Sequence, residues 1–345
     1  MNKSFIIAEA GVNHNGSIEI GKKLIDLAFD AGADAIKFQT FKAQNLASLD
    51  AETAEYQRQM SGKDNQYEML KKLEMSEEFH YQLIEHSISV GIEFMSSPFD
   101  LESAKFLINL GMQKIKIPSG EVNNLPFIEE LAKYNLPIIL STGMCFLDEV
   151  RDAVDTILRN QKISSDNSNE IPPLTLLHCT SNYPTNFNDV NLNAIRTMQN
   201  EFNLPVGYSD HTIGNVATLG AIAMGASIIE KHITVDKKMI GPDHKASMPY
   251  NEFKVFVDNI RSLEISLGDG IKRPCQSEIP IRKLVRKSAN LTSDKHIGDE
   301  INKDDLVFIR PNIGVPPNHL IEILGKKLKN NKTKGSFLTW DDIDE

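Results

Sequence analysis

Eight short apolar runs, at 5–10, 35–38, 92–96, 114–117, 138–141, 174–178, 205–208 and 227–232, alternate with amphipathic segments along the first 270 residues. The runs have strand length. The segments between them, such as 20–31, 77–90, 101–110, 127–134, 147–158 and 215–224, carry apolar residues at helical spacing. When a helix separates each strand from the next, the strands come out parallel, because the helix carries the chain back. Eight such units in about 250 residues predict an α/β fold, a (β/α)8 TIM barrel. An open doubly wound sheet shares the alternation, but no G-x-G-x-x-G follows the first run.

Two segments interrupt this rhythm. The stretch 41–73, with Tyr56, Gln57 and Gly62, is too long for one connection, and long insertions after barrel strands tend to be functional. The stretch 161–173 is rich in Ser, Asn and Asp and reads as a surface loop. The barrel pattern, 1–270, stops at Gly268-Asp269-Gly270, and a polar linker is expected over 271–281. The remainder, 282–345, has short β-like runs at 289–292, 306–309 and 336–339 between turns, which predicts a small, mostly β second domain.

A formal charge of −10 argues against nucleic acid or an anionic membrane as partner, since both require a basic face. No apolar stretch approaches membrane-span length, and the N-terminus has no signal-peptide pattern. Cys145, Cys179 and Cys275 are odd in number and widely spaced, so neither a disulfide framework nor a metal knuckle is expected, and a reducing cytoplasm fits.

In a parallel barrel the chemistry sits at the C-terminal ends of the strands. Here those ends read Glu9, then Lys37 and Gln39, then Ser96, Ser97 and Asp100, then Lys116, Ser119 and Glu121. The later runs end in "STGM", "HCTSNYP", "GYSDHT" and "EKHIT", and "GPDHKAS" follows. Scattered polarity would not pick out one end of every strand.

His211 and His232 fall on neighbouring strand ends, about 4.8 Å apart in a sheet, where two imidazoles can share one cation. Taken singly, each is more readily read as a hydrogen-bonded core histidine, whereas the pair on neighbouring strand ends is better read as a metal site. Such a two-imidazole site suits Mn²⁺, Mg²⁺ or Co²⁺ better than structural Zn²⁺. Lys37 and Lys116, with Ser97, Ser119 and Ser209, describe an anion pocket, with a Schiff-base lysine as the competing reading. Glu121 follows a tight turn that can hold a carboxylate for proton transfer, or it caps a helix. Tyr183 and Asp243 suit a sugar, or they serve loop packing and turn formation. His14, with Asn13, Asn15 and Gly16, shapes the turn after the first strand, and Ser17 caps the next helix.

The segments "AEAGVNHNGS", "KFQTFKA", "SSPFD", "KIPSGE", "STGM", "HCTSNYPT", "GYSDHT", "EKHIT" and "GPDHKAS", together with "RPNIG" near residue 310, resemble the sialic acid (nonulosonic acid) synthases with a C-terminal antifreeze-like (SAF) domain. The resemblance spans nearly the whole chain. It implies a transferase that condenses phosphoenolpyruvate with the open-chain form of an N-acylated mannosamine and water, giving a nine-carbon 2-keto acid and phosphate by C–O cleavage. N-acetylmannosamine, giving N-acetylneuraminate, is the expected sugar, with 2,4-diacetamido-2,4,6-trideoxymannose, giving N,N'-diacetyllegionaminate, as the alternative.

By the same resemblance, Lys37, Ser97, Lys116, Ser119, Ser181 and Ser209 hold phosphoenolpyruvate, and Glu9, Gln39, Tyr183 and Asp243 contact the sugar. His211 and His232 hold a divalent metal, Mn²⁺ first among the candidates, and Glu121 transfers a proton. Ser97 and Ser181 stand where many relatives carry Thr and Asn, small donors in each case. The resemblance also implies a domain-swapped homodimer in which Arg310 reaches the partner's sugar. A Schiff-base aldolase and a non-catalytic carbohydrate- or ice-binding protein are the competing functions.

Overall fold

A computed structural model describes residues 3–49, 65–162 and 173–344. The chain divides into two compact units, Met1–Asp269 and Gly270–Glu345. In the first unit eight strands run β1 (Phe5–Gly11), β2 (Ala35–Thr40), β3 (Glu93–Pro98), β4 (Ile115–Ile117), β5 (Ile138–Ser141), β6 (Leu174–Cys179), β7 (Val206–Asp210) and β8 (Ile228–Thr234). Their order around the sheet is β3-β2-β1-β8-β7-β6-β5-β4 with every ladder parallel, and β3 lies beside β4 without a ladder, so the barrel is nearly closed. Each expected run is a strand. A two-residue β9 (Met248–Pro249) adds to the end of β8.

The two-residue repeat of a strand sorts these side chains between two environments. One set, including Ile6, Ala8, Ile36, Phe38, Ile138, Leu140, Leu174, Leu176, Val206, Tyr208 and Ile229, packs in the main core with the surrounding helices. The alternate set begins with a small separate cluster, Ile7, Ala35, Met95, Ile139, Leu177 and Ile228. This cluster is the floor of the barrel interior. Gly207 completes the level, because a Cβ there would come within 2.4 Å of the Ile228 carbonyl oxygen. At about 25 cal/mol per Å² of apolar surface removed from water, these two layers supply most of the unit's stabilisation.

Local signals set the helix ends. Ser17 accepts from the Ile20 N–H at the start of Ile18–Ala31, as expected, and Gly32 closes that helix in the left-handed region. Ser76 caps Glu77–Val90, and Asp100 caps Leu101–Asn109 through the Ser103 N–H. Asp100 is therefore a cap at its strand end rather than a site group. Of the insertion 41–73, two helices are described, Ala43–Leu46 and Gln66–Leu73. Tyr56, Gln57 and Gly62, and most of the segment 161–173, lie outside the described residues.

In the second unit β10 (Ser288–Leu291) pairs antiparallel with β11 (Leu306–Ile309). Its core is Ala289, Ile301, Val315, Ile323, Leu328, Leu338 and Ile343. The run at 336–339 forms an isolated bridge, Asn290 with Phe337, rather than a strand. A helix, Glu278–Val285, occupies part of the stretch expected as linker. Its first turn carries Glu278 and its last turn Arg282 and Lys283, which suits the helix dipole, so the composition that suggested a linker also favours a helix. Among the described residues no helix is long and apolar enough to cross a membrane.

Candidate active site

Two residues above each floor position the chain places a polar side chain. Ile7 leads to Glu9, Ala35 to Lys37 and then Gln39, Met95 to Ser97, and Ile139 to Ser141. Leu177 leads to Cys179 and Ser181, Gly207 to Ser209 and His211, and Ile228 to Glu230 and His232. With Lys116 of β4, all of these line a single cavity of about 440 Å³. The floor keeps it closed below, so it opens at the C-terminal ends of the strands, where the loops vary.

Lys37 and Lys116 lie at the base of the cavity. The Lys37 ammonium is 2.6 Å from Glu9 Oε2, donates to Ser97 Oγ at 3.1 Å and sits 3.7 Å from Glu230. Lys116 donates to Ser141 Oγ at 2.8 Å and is 3.5 Å from Glu230. Ser209 donates to Glu230 at 3.0 Å, and Ser119 Oγ accepts from the Gly143 N–H at 2.9 Å.

Burial pulls on every charge here. It lowers Lys116, and on Lys37 it is outweighed by Glu230 and Glu9, which hold that ammonium above its ordinary value. Burial also works to raise Glu230, but Lys116 and Lys37 prevail and keep it ionised at about 2. Glu9 goes the other way: burial, with Glu230 adding to it, lifts its carboxyl to about 7 against the pull of Lys37. Two ammonium groups thus face one firm carboxylate and one that is half protonated near neutrality. In a unit with 23 basic and 36 acidic residues, these two buried lysines are the cationic groups with which the cavity can stabilise an anion.

His211 and His232 face each other with ring centroids 5.6 Å apart, and the Tyr183 ring stands 4.1 Å from the first and 5.6 Å from the second. His211 Nδ1 bonds the Thr180 carbonyl at 2.7 Å. A carbonyl only accepts, so the proton is on Nδ1 and the Nε2 lone pair is left available. His232 Nδ1 is buried without a hydrogen-bond partner among the described residues. Burial lowers both pKa values, so both rings are neutral. Two neutral imidazoles, one with its far nitrogen tied to a carbonyl, fit a divalent cation. Among the described residues no group of three or more His, Cys, Asp or Glu side chains is arranged to hold a metal. Substrate or water oxygens would therefore have to complete the coordination, which favours Mn²⁺, Mg²⁺ or Co²⁺ over structural Zn²⁺.

A third cluster surrounds Gly11. Glu9 Oε1, Asp243 Oδ2 and Gln39 Nε2 all lie within 3.5 Å of the point where a Cβ on Gly11 would stand, and its φ of +53° suits glycine. Gln39 donates to Glu9 at 3.2 Å, and burial raises Asp243 to about 6. Acceptors and an amide converging on an open cradle suit hydroxyl and N-acyl groups. The raised Glu9 carboxyl has a measurable consequence. Between pH 4.5 and about 7 the folded chain holds a proton that the unfolded chain releases, so stability falls as pH rises through that window. Glu9→Gln removes this term. Its melting temperature relative to the parent chain is expected to climb from pH 5 to pH 8, and a flat difference would contradict the raised carboxyl.

Of the residues singled out in the sequence, Glu9, Lys37, Gln39, Ser97, Lys116, Ser119, Ser181, Tyr183, Ser209, His211, His232 and Asp243 are brought to this one cavity. Glu121 is not. It ends the 3-10 turn Ser119–Glu121, which turns Ser119 and Gly120 to the cavity, while the Glu121 carboxylate accepts from Asn124 at 2.7 Å. The expected proton-transfer carboxylate thus lies beside the lining, next to Ser119 and Gly120, with the Asn124 amide as its donor. Arg310 follows β11 in the second unit. His14 lies outside the lining too: its Nδ1 accepts from the Gly16 N–H at 3.0 Å and shapes the turn. Ser141, Cys179, Glu230 and a set of apolar residues on Gln66–Leu73 belong to the lining and were not anticipated.

Comparison with known proteins agrees with this architecture. Residues 24–272 match the model of the NeuB family and residues 296–344 that of the SAF domain. The N,N'-diacetyllegionaminic acid synthase of Legionella pneumophila is 50% identical over 341 residues, 99% of this chain and 94% of that protein. The N,N'-diacetyllegionaminic acid synthase of Campylobacter jejuni is 45% identical over 332 residues, covering 96% and 97%. Among solved structures, the N-acetylneuraminic acid synthetase of Leptospira borgpetersenii superposes with a TM-score of 0.69 at 34% identity, over 81% of this chain and 90% of that one. With its barrel segment and its C-terminal segment both matched in order, the chain belongs to the NeuB family and carries a SAF domain at its C-terminal end.

Proposed function

We propose that the chain is a phosphoenolpyruvate-dependent nonulosonic acid synthase that takes 2,4-diacetamido-2,4,6-trideoxymannose and forms N,N'-diacetyllegionaminate. The observation that carries the reaction class is the meeting of an anion pocket, an imidazole pair and an acid–amide cluster in one closed-bottomed cavity. The choice of sugar departs from the N-acetylmannosamine expected above. It is supported by two relatives at 50% and 45% identity that are N,N'-diacetyllegionaminic acid synthases.

In this reading Lys37 and Lys116, with Ser97, Ser119, Ser141, Ser181 and Ser209, bind the phosphate and carboxylate of phosphoenolpyruvate, and Glu230 fixes the two ammonium groups. Carbon 3 of phosphoenolpyruvate then attacks the aldehyde carbon of the sugar. Water adds at carbon 2, and phosphate leaves with its bridging oxygen, so that one phosphate and one 2-keto acid are formed from the two substrates and water. A divalent ion, Mn²⁺ first among the candidates, would be held by His211 and His232 and would supply Lewis-acid polarisation of the aldehyde. Glu9, Gln39 and Asp243 orient the sugar, with Tyr183 beside the imidazoles. The alkoxide formed from the aldehyde needs a proton, and Glu9 and Asp243, at about 7 and 6, are suited to supply it near neutrality. Glu121, next to the lining residues Ser119 and Gly120, remains the other candidate for this role.

The partner arrangement is carried forward on the resemblance: a homodimer in which Arg310 serves the partner's sugar. A sedimentation mass of one chain would remove it. The test of the reaction is phosphate release from phosphoenolpyruvate and Mn²⁺ with each sugar in turn. Release is expected with the diacetamido sugar, and borohydride should trap no lysine adduct. No release with either sugar would end the synthase reading.

A further inference from the structure

The helix Gln66–Leu73 turns one face to the cavity. Gln66, Met69, Leu70 and Leu73 all line it, and they stand at i, i+3, i+4 and i+7, the spacing of a single helical face. Met69, Leu70 and Leu73 pack with Val12, Phe41, Leu46 and Phe99 in an apolar cluster separate from the barrel core, and Val12 and Phe99 line the cavity as well. The helix is anchored at both ends. Asn65 caps it through the Glu68 N–H at 2.9 Å, and Glu74, just past its end, accepts from the Ala43 N–H at 3.2 Å and pairs with Lys42 at 3.4 Å.

The cavity therefore has two sides of opposite character. One holds the lysines, serines and imidazoles at the strand ends, and the other, among the described residues, is apolar save for the Gln66 amide. The boundary falls at the β1 end, where the Gly11 cradle gives way to Val12.

A sugar reacting with an anion bound at the lysines must keep its carbonyl carbon at the polar side, so its far end meets the apolar face. A polyol tail there would leave hydroxyls facing Met69, Leu70 and Leu73 without partners, at a cost in desolvation. A deoxygenated tail buries its methyl group instead. We infer that this helix face is the specificity wall of the site. It selects an open-chain N-acylated amino sugar whose distal end is deoxygenated, and among the described residues Gln66 is the polar group there to meet an N-acyl substituent. The inference rests on the synthase reading and adds to it the residues that choose the sugar.

Apolar pockets discriminate by roughly 10–200-fold per methylene or added hydroxyl, which sets the size of the effect. Leu70 is half-buried, so it can be changed with less damage to packing than Met69 or Leu73. The experiment measures kcat/KM by phosphate release, with phosphoenolpyruvate and Mn²⁺, for 2,4-diacetamido-2,4,6-trideoxymannose and for N-acetylmannosamine, in the parent chain and in Leu70→Gln. The parent is expected to favour the trideoxy sugar by roughly 10-fold or more, and the variant to lose most of that preference. Should Leu70→Gln fail to fold, Leu70→Ala carries the same expectation, and Gln66→Leu should also lower the preference, because it removes the amide that meets the second N-acyl group.

Phosphate release with neither sugar in the parent chain overturns the synthase reading itself. Turnover in the parent without preference for the trideoxy sugar, or a preference that the folded variants leave unchanged or lower for both sugars alike, overturns the wall and leaves the synthase reading standing.

Discussion

Replacing His232 by alanine is expected to abolish turnover, with a loss of at least about 10³-fold in kcat/KM, equivalent to roughly 4 kcal/mol of transition-state stabilisation. His232 is the last side chain of β8 to line the cavity, in ladder register with Glu9 of β1, and its neighbour there is the His211 ring. Its Nδ1 has no hydrogen-bond partner among the described residues, although the residue is buried. A neutral ring that satisfies no protein group but faces a second neutral imidazole is poorly explained as a packing residue.

Three measurements separate the alternatives. Chelation should reduce the parent chain to the level of the variant, added Mn²⁺ should restore the parent alone, and Mn²⁺ should raise the melting temperature of the parent alone. At 100 times the dissociation constant that last effect is worth about 2.7 kcal/mol. Full activity in His232→Ala would remove the metal assignment, whereas loss of activity with an unchanged Mn²⁺ shift would leave His232 important for some other reason.

How far the sequence could be read depended on which physical signal each feature carries. The barrel was legible because parallel strands buried on both faces must be short, largely apolar and separated by helices, and the runs from 5–10 to 227–232 follow that pattern, with the lysines of 114–117 as the main departure. Most of the cavity was legible from the polar residues that end those runs. Glu230 was not, because inside "IIEKHIT" it reads as the interior of a strand. Counting by twos from His232 would have found it, and the same count from Ser181 finds Cys179. Ser141, the last residue of β5, was passed over beside the more conspicuous lysines.

Glu121 is a different case. Sequence order put it next to Ser119, but a 3-10 turn advances a third of a revolution per residue, so neighbours face different directions. The apolar wall was hidden because the insertion 41–73 was noticed for its length while its helical face at 66, 69, 70 and 73 went uncounted. The helix Glu278–Val285 shows the limit of composition: the polar stretch with Pro280 read as a linker, although Ile281, Leu284 and Val285 stand at helical spacing.

The largest effect on stability is expected at Asp210, one position before His211. Its carboxylate is wholly buried and accepts from the Thr212 N–H and Oγ1 at 2.8 Å each and from Thr218 Oγ1 at 2.7 Å. It also lies 3.0 Å from the Lys231 ammonium, which donates in turn to the Thr212 carbonyl. Lys231 precedes His232, so this pair ties β7 to β8 directly behind the two imidazoles. Burial lowers the Lys231 pKa, and Asp210 is the group that opposes it.

Asp210→Ala would leave that ammonium buried without its counter-charge and four donors, the Tyr208 hydroxyl at 3.4 Å included, without their acceptor. Removing one partner of a buried pair costs about 3–5 kcal/mol, which in a unit of this size lowers the melting temperature by on the order of 10 °C. The double variant Asp210→Asn, Lys231→Met should recover much of the loss, because the amide keeps an acceptor for the threonines while the charge it balanced is gone. If the loss came from the cavity left by the carboxylate rather than from the unpaired charge, Lys231→Met would give no relief. A denaturant midpoint unchanged by Asp210→Ala would mean that this ion pair does not hold the two strand ends together.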